Sequence, residues 1–424
     1  MSLARALLGL LFFCLVAWGL SSRRDRFPWR VVFFGIGLQF ALAALILGTP
    51  GGRGFFEGVA GLFTELISRT KPGAELVFGD LAKADGQVGF VFAFAGTGLV
   101  VIIVFSALMS VLYHLGVMQV VIWALARVMT VTMGVSGAES LAMAANIFVG
   151  QTEAPLVIKP YLGGMTLSEL NSLMVGGFAN TAGSVLAVYM GMLGPEIGPH
   201  LLTQSVMSAP AAFVLAKILQ PETEQPETGR HVELRFDRAS SNLIEAAATG
   251  TQDGLKLWLN VIAMLIGFFG LVMLANWPLE ALGRALDIDG GLSLARIFGF
   301  VFAPVAWIMG IEGWHDAKLV GSLLGTQVTI NEFVAYSQMT EYLHPVADAA
   351  GTLGASFQHE RSAKMAAYAL CGFANFSSVG IQIGGITPLA PERRADIAGL
   401  ALRAMLGGAC AAWMTSTVAG AFLA

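Results

Sequence analysis

The chain has 424 residues, of which 56% are hydrophobic and only 12% charged, and its mean hydropathy is +0.72. Soluble domains carry roughly twice that charged fraction, so a soluble globular fold is excluded and a polytopic membrane protein is implied. The formal charge of −4 is small and the basic residues are scattered, which removes nucleic acid as a partner, and Cys14, Cys371 and Cys410 sit in apolar stretches with neither metal spacing nor a disulfide framework.

About 20 apolar residues cross a bilayer. On that measure spans are predicted near 3–20, 31–48, 88–113, 173–193, 201–219, 257–276, 364–388 and 397–423, eight in all. The first has one arginine before its apolar run and several after it, the reverse of a signal peptide, and reads as a retained span. Arg23, Arg24, Arg26 and Arg30 follow it, and Arg393 and Arg394 precede the last span. Both clusters belong on the cytoplasmic side, which puts both termini outside. Residues 49–87 are richer in glycine and charge, and FFEGVAGLFTEL within them reads as a short amphipathic element lying along the interface. Further interfacial helices are predicted near 116–133 and 291–309.

The next stretch organises the chain. Residues 146–162 read NIFVGQTEAPLVIKPYL, which sets Gln151, Thr152 and Glu153 in apolar surroundings with Pro155 two residues on. A charge at mid-bilayer costs about 2.5 to 3.5 kcal/mol even on insertion scales, so this run has to face protein, water or a ligand. The device returns at 331–336, NEFVAY, with Asn331 and Glu332. Each carboxylate is followed by the tetrapeptide GFAN in a long apolar helix, at 177–180 and again at 372–375. Matching interruptions in two halves of a chain point to a transporter site where broken helices meet.

The polar run 220–256 reads as a cytoplasmic linker between the halves. The organisation expected is therefore two spans and an interfacial helix over 1–87, a first repeat over 88–219 and a second over 257–424. The first contains a re-entrant hairpin at 137–164 and a broken helix at 173–193; the second has a hairpin at 318–341 and a broken helix at 364–388. Three crossings per half is an odd number, so the second copy is inverted. The fold class is an all-α polytopic membrane protein with eight transmembrane helices, two re-entrant helical hairpins and inverted repeats with broken helices. Irregular backbone at the hairpin tips is tolerated only where it is buried in protein or lines a cavity.

GQTEAPLVIKPYL (150–162), NEFVAY (331–336) and ALCGFANFSSVGIQIGG (369–385) closely resemble the corresponding strings of the concentrative nucleoside transporters, and the similarity runs from about residue 75 onward. The resemblance implies a homotrimer, each subunit moving a transport domain against a scaffold, and the compact length of the chain leads us to expect a cytoplasmic (inner) membrane. It implies that Gln151, Thr152, Glu153 and Val185 face the base of a nucleoside, with Phe373 also on the base, and that Glu332, Asn375 and Ser378 serve mainly the ribose. The chemistry of a nucleoside agrees: its hydroxyls donate to a carboxylate and accept from an amide. For the coupling ion the resemblance implies sodium, or a proton as in some relatives. The sodium ligands would be Asn146, Val149, Asn180 and Thr181. The chain departs from the family pattern at Asn180 and Thr181, where a serine and an aliphatic residue are familiar, in the turn MGIEGWHDA (309–317), and at Gln327, where lysine is usual. The last two are expected to bear on gating more than on recognition.

Other function classes find less support. The six histidines are dispersed and no HExxH or GxSxG string occurs, so an enzyme is not expected. A channel would need rings of like residues along a pore. Another secondary transporter, for a different small polar solute, is the nearest alternative, although an organic anion would call for arginine or lysine at the tips where Glu153 and Glu332 stand.

Overall fold

The computed structural model describes residues 3–79, 100–229, 240–288, 291–345 and 354–423. Among these residues the secondary structure is helical throughout, and the protein is an all-α polytopic membrane protein. Residues 88–99 of the third expected span and 230–239 of the expected linker lie outside the described residues.

Two outer helices come first, α1 (Leu3–Gly19) and α2 (Trp29–Ile46). Both are mostly apolar, with Arg5 in α1 and Arg30 and Gln39 in α2 as the polar exceptions, and Leu8, Leu11, Trp29 and Phe33 point away from the protein at 55 to 75% exposure. Such a surface is costly in water and suited to lipid. Helix α3 (Pro50–Phe78) follows, started by Pro50 in the first turn and by the Thr49 hydroxyl, which accepts from Gly52 N at 3.0 Å. It is 29 residues long. The interfacial element read from the sequence is thus only the middle of it.

Helix α4 (Val101–His114) meets α5 (Val117–Met133) at a bend of 77°, with Gly116 in the left-handed region that makes the corner possible. The first hairpin is uneven. Its first arm is α6 (Gly137–Asn146), and its second is only the short α7 (Ala154–Val157), which Pro155 opens in its first turn, plus a 3₁₀ turn, Lys159–Gly164, because Pro160 keeps the helix from continuing. The expected broken helix is α8 (Leu167–Ala179) and α9 (Gly183–Leu193), parted at residues 180–182, where Asn180 and Ala182 are extended. Helix α10 (Gly198–Leu219) closes the half.

The second half opens with α11 (Leu243–Ala285), 43 residues long. Its first turns take up part of the stretch read as linker, because Asn242 caps the helix by accepting from Glu245 N at 2.9 Å. Helix α12 (Leu294–Met309) bends by 114° into α13 (Gly313–Thr329), the first arm of the second hairpin, whose second arm is α14 (Glu332–Leu343). The hairpin thus extends beyond the expected 318–341 at both ends. A second broken helix, α15 (Glu360–Leu370) and α16 (Phe376–Ile386), leads to α17 (Arg394–Gly420). The helices before the two hairpins stop in the same way, α5 at Gly134 with φ +75° and α12 at Gly310 with φ +113°.

By length and composition, residues 29–46, 167–193, 198–219 and 391–420 are each sufficient to cross a bilayer, and each of the two bent pairs adds one more if counted as a single span. The expected crossing at 257–276 lies within the 43-residue α11, and the remaining ones differ from expectation for visible reasons. Helix α1 has 17 residues, α4 is described only from Val101, and α15 opens on Glu360, Arg361 and Lys364.

The core lies around the two breaks. Every residue from Ser168 to Ala179 on α8 and from Gly407 to Gly420 on α17 is buried, and α10 is almost as fully enclosed. The breaks abut each other: a Cβ on Gly372 would stand 2.8 Å from the Phe178 carbonyl oxygen, so only glycine lets the two backbones approach. At the base of the first hairpin, Ser136 and Thr166 each form a capping box, with Glu139 and Glu169 respectively. Lys217 of α10 reaches this knot, 2.7 Å from Glu139 Oε2 and donating to Ser168 Oγ at 2.9 Å. The charges of Lys217 and Glu139 are almost wholly buried, and each answers the other.

Candidate functional site

The second hairpin tip supplies the central carboxylate. Asn331 caps α14 by accepting from Val334 N at 2.9 Å, which leaves Glu332 as the first residue of that helix, at the end where the backbone dipole favours an anion. In the second break Asn375 caps α16, its Oδ1 accepting from Ser378 N at 2.8 Å and from Ser377 Oγ at 2.7 Å. The cap fixes which way the amide points, so Nδ2 donates to Glu332 Oε2 at 2.9 Å. The other oxygen, Oε1, accepts from Tyr189 Oη of α9 at 2.8 Å.

The first hairpin tip closes the other side. The chain turns at Gly150, whose carbonyl accepts from Glu153 N at 3.1 Å, and the Glu153 side chain is exposed into the space between the hairpins. Gln151 is buried with Oε1 unpartnered, and Thr152 packs against Gly385 of α16, where a Cβ would come within 2.6 Å. Gly183 N, at the start of α9, donates to Phe148 O in the tip at 3.0 Å.

These elements enclose a cavity of about 1250 Å³. All eight side chains expected to hold substrate line it: Gln151, Thr152, Glu153, Val185, Glu332, Phe373, Asn375 and Ser378. They come from both hairpins and from both broken helices, so no single element makes the site. Lys159 and Tyr161, the hairpin-end residues, border the same space. Across from the tips the wall is Ser106, Ser110 and Tyr113 of α4 with Asp253 and Asn260 of α11.

The four residues expected to hold a cation are divided. Val149 lines the cavity, whereas Asn146, Asn180 and Thr181 are buried behind it. Asn146 ends α6 with neither side-chain atom hydrogen-bonded, an arrangement that costs free energy unless something binds there. A Cβ on Gly176 would lie 3.1 Å from Asn146 Nδ2, and the Gly176 carbonyl accepts from Asn180 Nδ2 at 3.2 Å, so the two asparagines flank one backbone position. Asn180 Oδ1 accepts from Ser208 Oγ of α10, and Thr181 Oγ1 lies 3.6 Å from Cys371 Sγ in the other break. Amide, hydroxyl and carbonyl oxygens are the ligands a hard cation takes.

Sequence reasoning misses two residues here, Tyr189 and Ser208, and reads Gln327 only as a departure bearing on gating. Tyr189 and Ser208 stand in apolar helices and look like packing, and Gln327 is closer to the site than its position in an arm implies. Its Nε2 donates to Leu370 O at 3.0 Å and to Gly372 O at 3.1 Å, satisfying carbonyls left free where α15 ends. For Tyr189 the available signal was its place two turns beyond the break, on the helix face that also carries Val185.

Three family models cover most of the chain: Na+ dependent nucleoside transporter N-terminus over residues 8–81, nucleoside recognition over 97–196, and Na+ dependent nucleoside transporter C-terminus over 200–420. An uncharacterised transporter of Haemophilus influenzae is 42% identical over 423 residues, covering 100% of this chain and 98% of that protein. Sodium/nucleoside cotransporter 1 of Homo sapiens and solute carrier family 28 member 3 of Rattus norvegicus are each 41% identical over 97% of this chain. The chain spans 62% of the human protein's length and 57% of the rat protein's. Among solved structures, CNTnw in an inward-facing substrate-bound state matches with a TM-score of 0.89 at 37% identity, over 99% of this chain and 97% of that one. A CNTnw variant in an outward-facing state matches with a TM-score of 0.89 at 38% identity, over 100% and 98%. The chain belongs to the Na+-dependent, or concentrative, nucleoside transporter family, whose members are membrane transporters and not enzymes.

Proposed function

We propose that this protein imports nucleosides by sodium symport, carrying each one between alternately open sides of a cytoplasmic membrane. The observation that carries this reading is the gathering of eight polar and apolar side chains from four elements around one cavity, with Glu332 held between Tyr189 and Asn375. In this reading Glu332, Asn375 and Ser378 take the ribose, and Gln151, Thr152, Glu153, Val185 and Phe373 take the base. A neutral solute gains nothing from the membrane potential, so uphill uptake needs a cotransported cation, which gains about 2.3 kcal/mol per 100 mV. Sodium is that cargo, at Asn146, Val149, Asn180 and Thr181. The unpartnered amide of Asn146 supports the assignment.

The two hairpins and two broken helices then form the moving domain, and the halves 88–219 and 257–424 are inverted repeats around it. CNTnw has been captured facing inward with substrate and, as a variant, facing outward, which supports alternating access for its relative here. A homotrimer in a bacterial inner membrane, with both termini outside, completes the proposal.

The test is uptake of radiolabelled uridine and adenosine into proteoliposomes, with sodium and pH gradients imposed separately. An inward sodium gradient is expected to drive accumulation above equilibrium. Absence of uptake under both gradients overturns the symport reading.

A further inference from the structure

Helix α9 touches both ends of the proposed cycle. At its start lies the first break, with Asn180 and Thr181 of the cation set, and Gly183 N is bonded to Phe148 O in the first hairpin tip at 3.0 Å. A Cβ on Gly183 would stand 2.9 Å from that oxygen, so the seat is close and the helix start follows the tip. Two turns later Tyr189 donates to Glu332 Oε1 at 2.8 Å. Tyr189 is fully buried, and its ring lies 4.5 Å from that of Tyr336 and 6.1 Å from that of Phe333, both on α14. An 11-residue helix this enclosed moves as one piece, so a shift at its first turn is felt at the Tyr189 hydroxyl.

We propose that Tyr189 is the positioning residue that couples cation occupancy at the first break to the orientation of the Glu332 carboxylate, and thereby to the affinity for the ribose. The inference rests on the symport reading above. The hydroxyl reaches across 143 residues of sequence from the first half to the second, and it holds one carboxylate oxygen while Asn375 holds the other. With the break seated on its cation, both oxygens are aimed at the cavity. With the break unseated, Tyr189 withdraws and the carboxylate loses one of its two anchors. Linkage requires the converse: a bound nucleoside raises sodium affinity by the same factor.

Uridine dissociation constants of the purified protein, in sodium chloride and in choline chloride at equal ionic strength, test this. Sodium is expected to tighten uridine binding by at least about 5-fold in the wild type and by less than about 2-fold in Tyr189→Phe, which keeps the ring and removes only the link. Tyr336→Phe is the control for a merely structural tyrosine. It removes the bond to Ala367 O, 2.9 Å, and is expected to keep the full sodium factor. A second measurement needs no variant: 2′,3′-dideoxyuridine, which lacks the hydroxyls that Glu332 would accept, is expected to bind the wild type with a sodium factor near that of Tyr189→Phe. A full sodium factor in Tyr189→Phe, or with dideoxyuridine, overturns the inference and leaves the symport reading standing. Should Tyr189→Phe not assemble, the dideoxyuridine comparison decides alone. A wild type that binds no uridine, or binds it without regard to sodium, overturns the symport reading and the inference together.

Discussion

At the scale of single residues, Glu332 is the group whose surroundings are most fully specified. Both its oxygens accept hydrogen bonds from side chains, and its backbone starts a helix. Hydrogen bonds to a charged group are worth about 1.5 to 3 kcal/mol each, so losing even one between substrate and carboxylate weakens binding roughly 10- to 150-fold. Glu332→Ala is therefore expected to abolish uptake while gel filtration still shows the wild-type assembly; transport at the wild-type rate removes Glu332 from the site. This residue was legible in the sequence because a carboxylate in a membrane-grade string has few innocent explanations. Its anchor was not. Tyrosine is at home in an apolar helix, and the carboxylate that Tyr189 holds is 143 positions away, beyond any local spacing rule.

At the scale of elements, the hairpins and broken helices are short helices pinned at their ends. The knot of Lys217, Glu139, Ser136, Ser168 and Glu169 ties the first arm of the first hairpin to α8 and α10. Removing one partner of a buried pair leaves an uncompensated charge and costs about 3 to 5 kcal/mol. Lys217→Met is expected to lower the melting temperature in detergent clearly, and the double variant Lys217→Met with Glu139→Gln is expected to recover most of the loss. A double variant as unstable as the single one argues against the pair. The sequence concealed this knot, since a lone lysine at the end of a span reads as an interfacial anchor. It did reveal both breaks: GFAN places the same glycine and asparagine at each, and the close approach at Gly372 shows what the glycine is for. The length of α3 was hidden for the opposite reason, because PGGRG at its start has weak helix propensity, although Pro50 and the Thr49 cap start the helix there.

At the scale of the whole molecule, charge asymmetry sets orientation and hydropathy sets the crossings, and both are sums over many residues that a sequence displays openly. The order of elements was legible for that reason. How the two halves interlock was not, because contacts such as Cys371 with Thr181 and Gln327 with the second break depend on three-dimensional closure. The orientation is open to direct test. Cys14, Cys371 and Cys410 are all buried, so a single exposed cysteine introduced at Arg24 is expected to be the main site of labelling by a membrane-impermeant maleimide. It is expected to react in inside-out vesicles and stay silent in right-side-out ones; the reverse pattern inverts the topology.

The cavity is larger than the roughly 300 to 1,000 Å³ that encloses most drug-sized ligands, and its volume is unevenly furnished. Each Glu332 oxygen accepts from one side chain, Tyr189 on one and Asn375 on the other, whereas toward α4 and α11 the boundary is mixed, with Ser106, Ser110, Tyr113, Asp253, Lys256 and Asn260. If the ribose sits at Glu332 as proposed, a fluorophore attached through the base is expected to be tolerated better than the same dye attached through the sugar, which competition with radiolabelled uridine would measure. A sugar-tagged derivative that competes as well as its base-tagged counterpart counts against that placement.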